Sequence, residues 1–293
     1  MACPGQAAEL GVSGFVHEMG RTAVTARLFI EACAGSCRLS RATAAAGIPT
    51  WSFEVTRGGP NEDILRPECL ELLLSYIRKG LVACLWLGLT CASWSRARRG
   101  KRRGPIDPAA RGLSARPKRG GFPAPLRSRE YLWGLPRSEL TTSELKKLDH
   151  GNALAKWAIK VVKEARKYGT TLIVENPRTS WIWELPELKE LMSGPDFNFG
   201  TFHHCQFGQP WKKATSLAMW GKFSGGPGHL AKILRTCKSR RCSVTGKKHE
   251  RLQGFVTGPK AKGKTSFKTS QAAAYPQEFC KAFAQLLVDS LDR

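Results

Sequence analysis

The chain has 293 residues, 42% of them hydrophobic, enough for one large core with a small satellite. Its 47 Lys and Arg against 23 Asp and Glu leave a charge of +24 at pH 7, which points to a polyanionic partner, DNA or RNA. Ten cysteines at irregular spacing in so long a chain exclude a secreted disulfide scaffold. No stretch nears the roughly 20 apolar residues of a membrane span, and the amino terminus lacks a signal-peptide core. The expectation is a protein of a reducing, intracellular compartment with no membrane partner.

Residues 1–24 show no periodicity and read as a disordered leader, followed by a core over 25–220. A strand over 26–31 runs into Glu31-Ala32-Cys33-Ala34-Gly35-Ser36-Cys37, and a helix over 36–46 is stopped by Gly47. A strand over 50–55 ends in Glu54. Pro67 suits the first turn of a helix with Leu70, Leu73, Leu74 and Ile77 on one face and Gly80 past its end. The apolar run 81–88 then ends abruptly at Leu89-Thr90-Cys91.

Leu154, Trp157, Ala158, Val161, Val162 and Ala165 mark a long amphipathic helix closed by Gly169. The strand 171–175 delivers Glu175-Asn176-Pro177, and Pro186 opens a short helix. Strands over 199–204 and 214–220 follow. Within 271–293, Phe279, Ala282, Phe283, Leu286 and Leu287 form one face of a terminal helix that closes the core. This alternation predicts an α/β, doubly wound, mostly parallel sheet. Two segments interrupt it: a basic mobile insert over 96–140, with twelve Lys and Arg between 96 and 129 against Asp107 alone, and a small irregular basic appendage over 221–270.

Three strand ends carry chemistry, as open α/β sheets do at their carboxyl edge. The turn through Gly35 can aim backbone N–H groups at a ligand, and Glu54, nineteen residues on, can accept bonds from ribose hydroxyls. A thiol at Cys91, followed by Arg96, Arg98 and Arg99, sits where positive charge favours thiolate. Glu175 ends a buried strand, where desolvation can raise its pKa and suit it to donate a proton.

In this order the residues resemble the cytosine-C5 methyltransferases, in divergent form. Phe29 to Gly35 resembles that family's Phe-x-Gly-x-Gly turn. Gly88-Leu89-Thr90-Cys91-Ala92-Ser93-Trp94-Ser95 resembles its Gly-Pro-Pro-Cys-Gln-x-Phe-Ser, with both prolines and the glutamine lost. Glu175-Asn176-Pro177 resembles Glu-Asn-Val. Phe207 to Thr215 resembles Tyr-Gly-x-Pro-Gln-x-Arg-x-Arg, with Lys213 and Thr215 in place of the arginines. Arg251 to Phe255 matches Arg-Leu-Gln-Gly-Phe, and Gln271 to Pro276 faintly resembles the last conserved segment.

The resemblance implies a Rossmann-like methyltransferase fold that moves a methyl group from S-adenosyl-L-methionine to C5 of cytosine in DNA. Cys91, Glu175, Asn176 and Lys213 would be the catalytic set. Phe29, Glu31, Ala32, Gly35, Ser36, Glu54, Asp63 and Gly88 would line the cofactor site. Arg96, Arg98, Arg99, Lys101, Arg102, Arg103 and Lys212 would contact nucleic acid, and base flipping would present the cytosine. A DNA substrate and the basic run suggest the nucleus. The interval 221–250 is short for a DNA-reading region, so low sequence specificity or a targeting partner protein is expected.

Two alternatives stand: an RNA cytosine-C5 methyltransferase, and a catalytically inactive nucleic-acid-binding module derived from a methyltransferase. Cys237, Cys242 and His249, with Cys205, His203 and His229 nearby, are candidate zinc ligands. Their Cys-x4-Cys-x6-His spacing is loose, and the preferred reading is no metal.

Overall fold

A computed structural model describes residues 27–100, 123–221, 230–256 and 266–291. In chain order the elements are β1 (Leu28–Ala32), α1 (Arg38–Ala45), β2 (Thr50–Phe53), the one-turn α2 (Val55–Gly58), α3 (Pro67–Arg78) and β3 (Val82–Gly88). Then come α4 (Thr142–Lys167), β4 (Thr171–Pro177), α5 (Pro186–Met192), β5 (Phe197–His203), β6 (Ala214–Trp220), β7 (Phe255–Val256), β8 (Ser266–Phe267), α6 (Lys268–Gln271) and α7 (Gln277–Leu291). The predicted leader over 1–24 lies outside the described residues.

The main sheet has six strands in the order β2-β1-β3-β4-β6-β5. β2, β1, β3 and β4 run parallel, while β6 is antiparallel to both β4 and β5. This is the expected doubly wound, mostly parallel, Rossmann-like sheet. Its connections are helical because parallel neighbours need a crossover to return the chain.

Side-chain alternation sorts the strands onto two cores. Leu28, Ile30 and Ala32 of β1, with Leu172 and Val174 of β4, face α3, α4 and α5. Phe29 of β1 and Ile173 of β4 face the other way, where Phe279, Phe283 and Leu286 of α7 cover them together with Leu39 of α1. α4 opens on a full capping box: Thr141 Oγ1 accepts from the Glu144 N–H, and the Glu144 carboxylate accepts from the Thr141 N–H at 3.1 Å. α3 has Pro67 in its first turn, as expected. No helix among the described residues is long and apolar enough to cross a membrane.

The stretch read as a mobile basic insert over 96–140 is anchored at both of its described ends. Arg127 is 1% exposed, with its guanidinium 3.3 Å from the centre of the Trp94 ring. It donates to Ser93 O, Ser93 Oγ and Leu132 O. Leu126, Leu140 and Leu148 form a small core of their own beside it.

Candidate active site

The strand ends of β1, β3 and β4 lie level, since Ala32 pairs with Leu87 and Gly88 pairs with Glu175. Strand order reverses between β1 and β3, and a doubly wound sheet opens its ligand crevice outside the carboxyl ends at such a point. The turn after β1, the loop after β3 and the end of β4 therefore meet on one rim.

The β1 turn is more glycine-like than its composition. Cys33, Gly35 and Cys37 all have left-handed φ, +57°, +53° and +52°. Two cysteines thus hold conformations that cost a side-chain-bearing residue about 1–3 kcal/mol each. A Cβ built on Gly35 would meet no atom within 4 Å, so the turn leaves open space on that side. The Gly35 N–H donates to Glu54 Oε2 at 2.7 Å, and the other carboxylate oxygen accepts from Thr56 N–H and Oγ1. Burial pushes the Glu54 carboxyl up, but the Thr56 and Gly35 bonds and the Arg57 charge bring it below its ordinary value.

Not every residue expected around the cofactor reaches the rim. Phe29 is wholly buried against Phe283, with ring centroids 5.7 Å apart, and Ala32 is core. Both support the turn from beneath, because alternation turns their side chains into the two cores. Glu31 shares the Phe29 face and lies under α1, where Ser40 donates from its N–H at 2.9 Å and from its hydroxyl. Burial pushes the Glu31 carboxyl up to about 7, with the Ser40 bonds opposing. Asp63 caps a turn ahead of α3 by accepting from Leu65 N–H at 3.0 Å. Ser36, by contrast, is exposed on the turn beside Gly35.

Cys91 is half-buried and opens a turn whose carbonyl accepts from Trp94 N–H and Ser95 N–H. Three devices hold its loop. Asn176 Nδ2 donates to Leu89 O at 2.9 Å, Trp94 Nε1 donates to Gly151 O at 3.3 Å, and the Arg127 fork grips Ser93. Gly151 lies inside α4, where glycine costs roughly 1 kcal/mol relative to alanine. A Cβ there would collide with Ser93 Oγ, so the loop's close approach requires the glycine.

The electrostatics of Cys91 differ from expectation. Arg96 pairs with Glu184 at 2.9 Å and lies over Trp181, and Arg98 bonds Ala124 O and faces Glu144. Neither arginine is a cation that holds Cys91 as thiolate. Burial pushes the thiol up, the Lys213 ammonium pulls it down, and the Glu175 carboxylate pushes it up again. Cys91 is therefore a thiol above its ordinary pKa with one useful cation nearby.

Glu175 is 7% exposed, and its Oε2 accepts from Tyr275 Oη at 2.9 Å. Tyr275 Oη in turn accepts from Trp86 Nε1 at 3.0 Å. Burial pushes the Glu175 carboxyl up, and Lys213 and Tyr275 oppose it. Gly88 leaves room for this relay, since a Cβ there would stand 2.9 Å from Tyr275 Oη. Lys213 Nζ donates to Ala272 O at 2.9 Å, which ties the approach to β6 to the segment carrying Tyr275. Thr215, at the second arginine position of the resemblance, is fully buried beside His204 Nε2 at 3.3 Å. Asn176 Oδ1 is buried with no hydrogen-bond partner among the described residues.

Of the residues expected to contact nucleic acid, Arg99 and Lys212 are exposed, Arg96 and Arg98 are engaged in the fold, and Lys101, Arg102 and Arg103 lie outside the described residues. Cys237, Cys242 and His249 do come together, and Cys205 joins them. Tyr275, Gly151 and Arg127 escaped the sequence reading of the site. The only signal was Tyr275 standing before Pro276 in the segment of faint resemblance.

The chain matches no family model and no curated protein. Among solved structures it is similar to the S. pombe Dnmt2 methyltransferase, at 12% identity and TM-score 0.37, over 77% of this chain and 59% of that one. It is also similar to the Entamoeba histolytica methyltransferase EhMeth, at 8% identity and TM-score 0.39, over 91% and 99%. The chain thus spans about three fifths of the S. pombe protein's length. Likenesses this faint carry no argument, and what the site can do follows from its own residues.

Proposed function

We propose that the protein transfers a methyl group from S-adenosyl-L-methionine to C5 of cytosine in a nucleic acid, with DNA as the preferred substrate. The observation that carries this reading is the convergence of Cys91, Glu175 and Lys213 on one rim, beside the open left-handed turn at Gly35. That turn fits a small donor molecule: Gly35 and Ser36 are exposed on it, and Glu54 stands beside it. S-adenosyl-L-methionine held there supplies an electrophilic methyl group.

The chain's residues do the rest. Cys91 Sγ, its proton passing to solvent water, would form a bond to C6 of a flipped cytosine as the C5–C6 π bond opens toward C5. Glu175, kept above the ordinary carboxyl pKa by burial, hydrogen-bonds or protonates N3 and draws electron density from C6. C5 would then take the methyl group, with S-adenosyl-homocysteine leaving as the thioether. Transfer of the C5 proton to a water molecule would restore the C5–C6 double bond and expel the Cys91 sulfur, and N3 would return its proton to Glu175. Lys213 lowers the cost of the thiolate, and Asn176 fixes the loop through Leu89 O. The +24 charge provides phosphate contacts that offset the few kcal/mol of extruding a base.

Incubation with isotopically labelled S-adenosyl-L-methionine and cytosine-containing DNA or RNA, followed by nucleoside mass spectrometry, tests this. The expected product is 5-methylcytosine, formed faster in DNA and absent with Cys91→Ser. The same product in RNA alone would reassign the substrate. A second reading, a binding module without turnover, draws on Glu54, whose two oxygens already serve Gly35 and Thr56 rather than a ribose. Tight nucleic-acid binding with no labelled product would establish it. Residence in the nucleus and a partner that guides target choice belong to the same proposal, supported by the basic charge and the short 221–250 interval.

A further inference from the structure

Away from the rim, three buried cysteines and one histidine meet where β5 leads toward β6. Cys205 sits in the single 3-10 turn after β5 and is fully buried. Cys237 and Cys242 come from the 230–256 segment and are 1% and 5% exposed. The Sγ atoms of Cys205 and Cys242 and a ring nitrogen of His249 lie within 4.8 Å of one another. Cys237 Sγ is 3.7 Å from His249 Nε2. Two ligand atoms on one tetrahedral zinc ion, with bonds of roughly 2.0–2.3 Å, stand about 3.5–3.8 Å apart.

The surroundings fit ligation as well. His249 Nδ1 is 3.0 Å from Arg240 O, so the ring donates there and leaves the Nε2 lone pair facing the cysteines. Cys242 opens a tight hairpin: its N–H donates to Lys247 O at 2.7 Å, and Gly246 N–H donates to Cys242 O at 2.8 Å. Arg241 pairs with Lys248 across it, which delivers His249 back to the cluster. His203 is not in the set, because its Nδ1 already accepts from Cys237 N–H at 2.9 Å. The sequence spacing was loose because one ligand, Cys205, lies 32 residues before the others.

We propose that Cys205, Cys237, Cys242 and His249 bind one Zn2+ in a closed, structural site of three sulfurs and one nitrogen. Three thiolates and the metal together would leave one negative charge, in a stretch of chain that also carries Arg240, Arg241, Lys247 and Lys248. The ion pins the 230–256 segment onto the end of β5. The residue after His249 continues the clamp: Glu250 N–H donates to Pro210 O at 2.8 Å and Glu250 bridges Trp211, just ahead of Lys212 and Lys213. The metal therefore shapes the basic face beside the rim and takes no part in the reaction.

Full-length protein purified with reductant and without added chelator is expected to carry about one zinc per chain by elemental mass spectrometry. Cobalt exchange is expected to give thiolate charge-transfer bands with intense tetrahedral d–d bands. Cys237→Ser and Cys242→Ser should lose the metal, while Cys84→Ser, a buried cysteine outside the cluster, keeps it. His249→Cys should keep the metal and change the cobalt spectrum, so a misfolded serine variant would not decide the matter. A folded wild-type chain that takes up neither Zn2+ nor Co2+ would overturn the proposal. So would an octahedral cobalt spectrum, or a disulfide among the three cysteines in reduced protein.

Discussion

Replacing Tyr275 by phenylalanine tests the buried relay that sets the proton on Glu175. The hydroxyl donates to Glu175 Oε2 at 2.9 Å and accepts from Trp86 Nε1 at 3.0 Å, so its loss leaves a buried indole N–H unpaired. With Glu175 neutral, a neutral hydrogen bond of about 1 kcal/mol is lost, and the orphaned indole adds about 1 kcal/mol. With Glu175 ionised, the lost bond is charge-assisted and worth about 2 kcal/mol, for a total of about 3 kcal/mol. Burial already holds the Glu175 carboxyl above its ordinary value, and the Tyr275 bond opposes that rise. A carboxyl raised in the folded state gives stability that is full below the unfolded pKa and declines as pH rises toward the folded one. Removing the hydroxyl raises the folded value further, so the extra loss falls on the alkaline side. Urea denaturation of both proteins across a pH series should show the variant about 2 kcal/mol less stable where Glu175 is neutral and about 3 kcal/mol less stable once it ionises on the alkaline side. A loss that stays constant through the whole series to the alkaline limit of the fold would refute the claim that Tyr275 stabilises an ionisable Glu175.

Glu31→Gln should change the pH dependence of stability. A carboxyl moved from 4.5 to about 7 by burial costs the wild type about 3 kcal/mol as pH rises through that interval, and the variant should be spared this loss in denaturation at pH 4.5 and 8. An unchanged difference between the two proteins would count against the buried Glu31–Ser40 pair. Gly151→Ala should lower stability by about 1–3 kcal/mol and slow methyl transfer while nucleic-acid affinity holds, because the new Cβ pushes on Ser93 beside Cys91. Transfer kinetics equal to wild type would remove Gly151 from the account. Lys213→Met should raise the Cys91 pKa and slow iodoacetamide labelling of Cys91 at pH 8, followed by peptide mass spectrometry. An unaltered labelling rate would show that Lys213 does not act on the thiol.

The sheet was legible because its strands are short apolar runs ended by polar or glycine residues, and its helices carry apolar faces at regular spacing. Cys91 and Glu175 were legible for the same reason: each ends such a run. What stayed hidden depends on contacts distant in sequence. Tyr275 reaches Glu175 across 100 residues, Gly151 meets Trp94 across 57, and Arg127 meets Ser93 across 34. The arginines after Cys91 looked like its activators because their acidic partners, Glu184 and Glu144, lie far along the chain. Phe29 and Ala32 sit inside the resemblance, yet alternation turns them into the cores. The β1 turn was under-read for another reason. Cys33 and Cys37 hold glycine-type backbone that residue identity alone does not reveal.

The most direct test of the central claim is covalent trapping on 5-fluorocytosine, whose fluorine cannot leave as the C5 proton does. Purified protein, S-adenosyl-L-methionine and 5-fluorocytosine-containing DNA or RNA should yield a denaturation-resistant adduct. Peptide mapping should place the bond on Cys91, and Cys91→Ser should form none. Protein that binds the same nucleic acid yet yields no donor-dependent adduct at Cys91 would contradict the account.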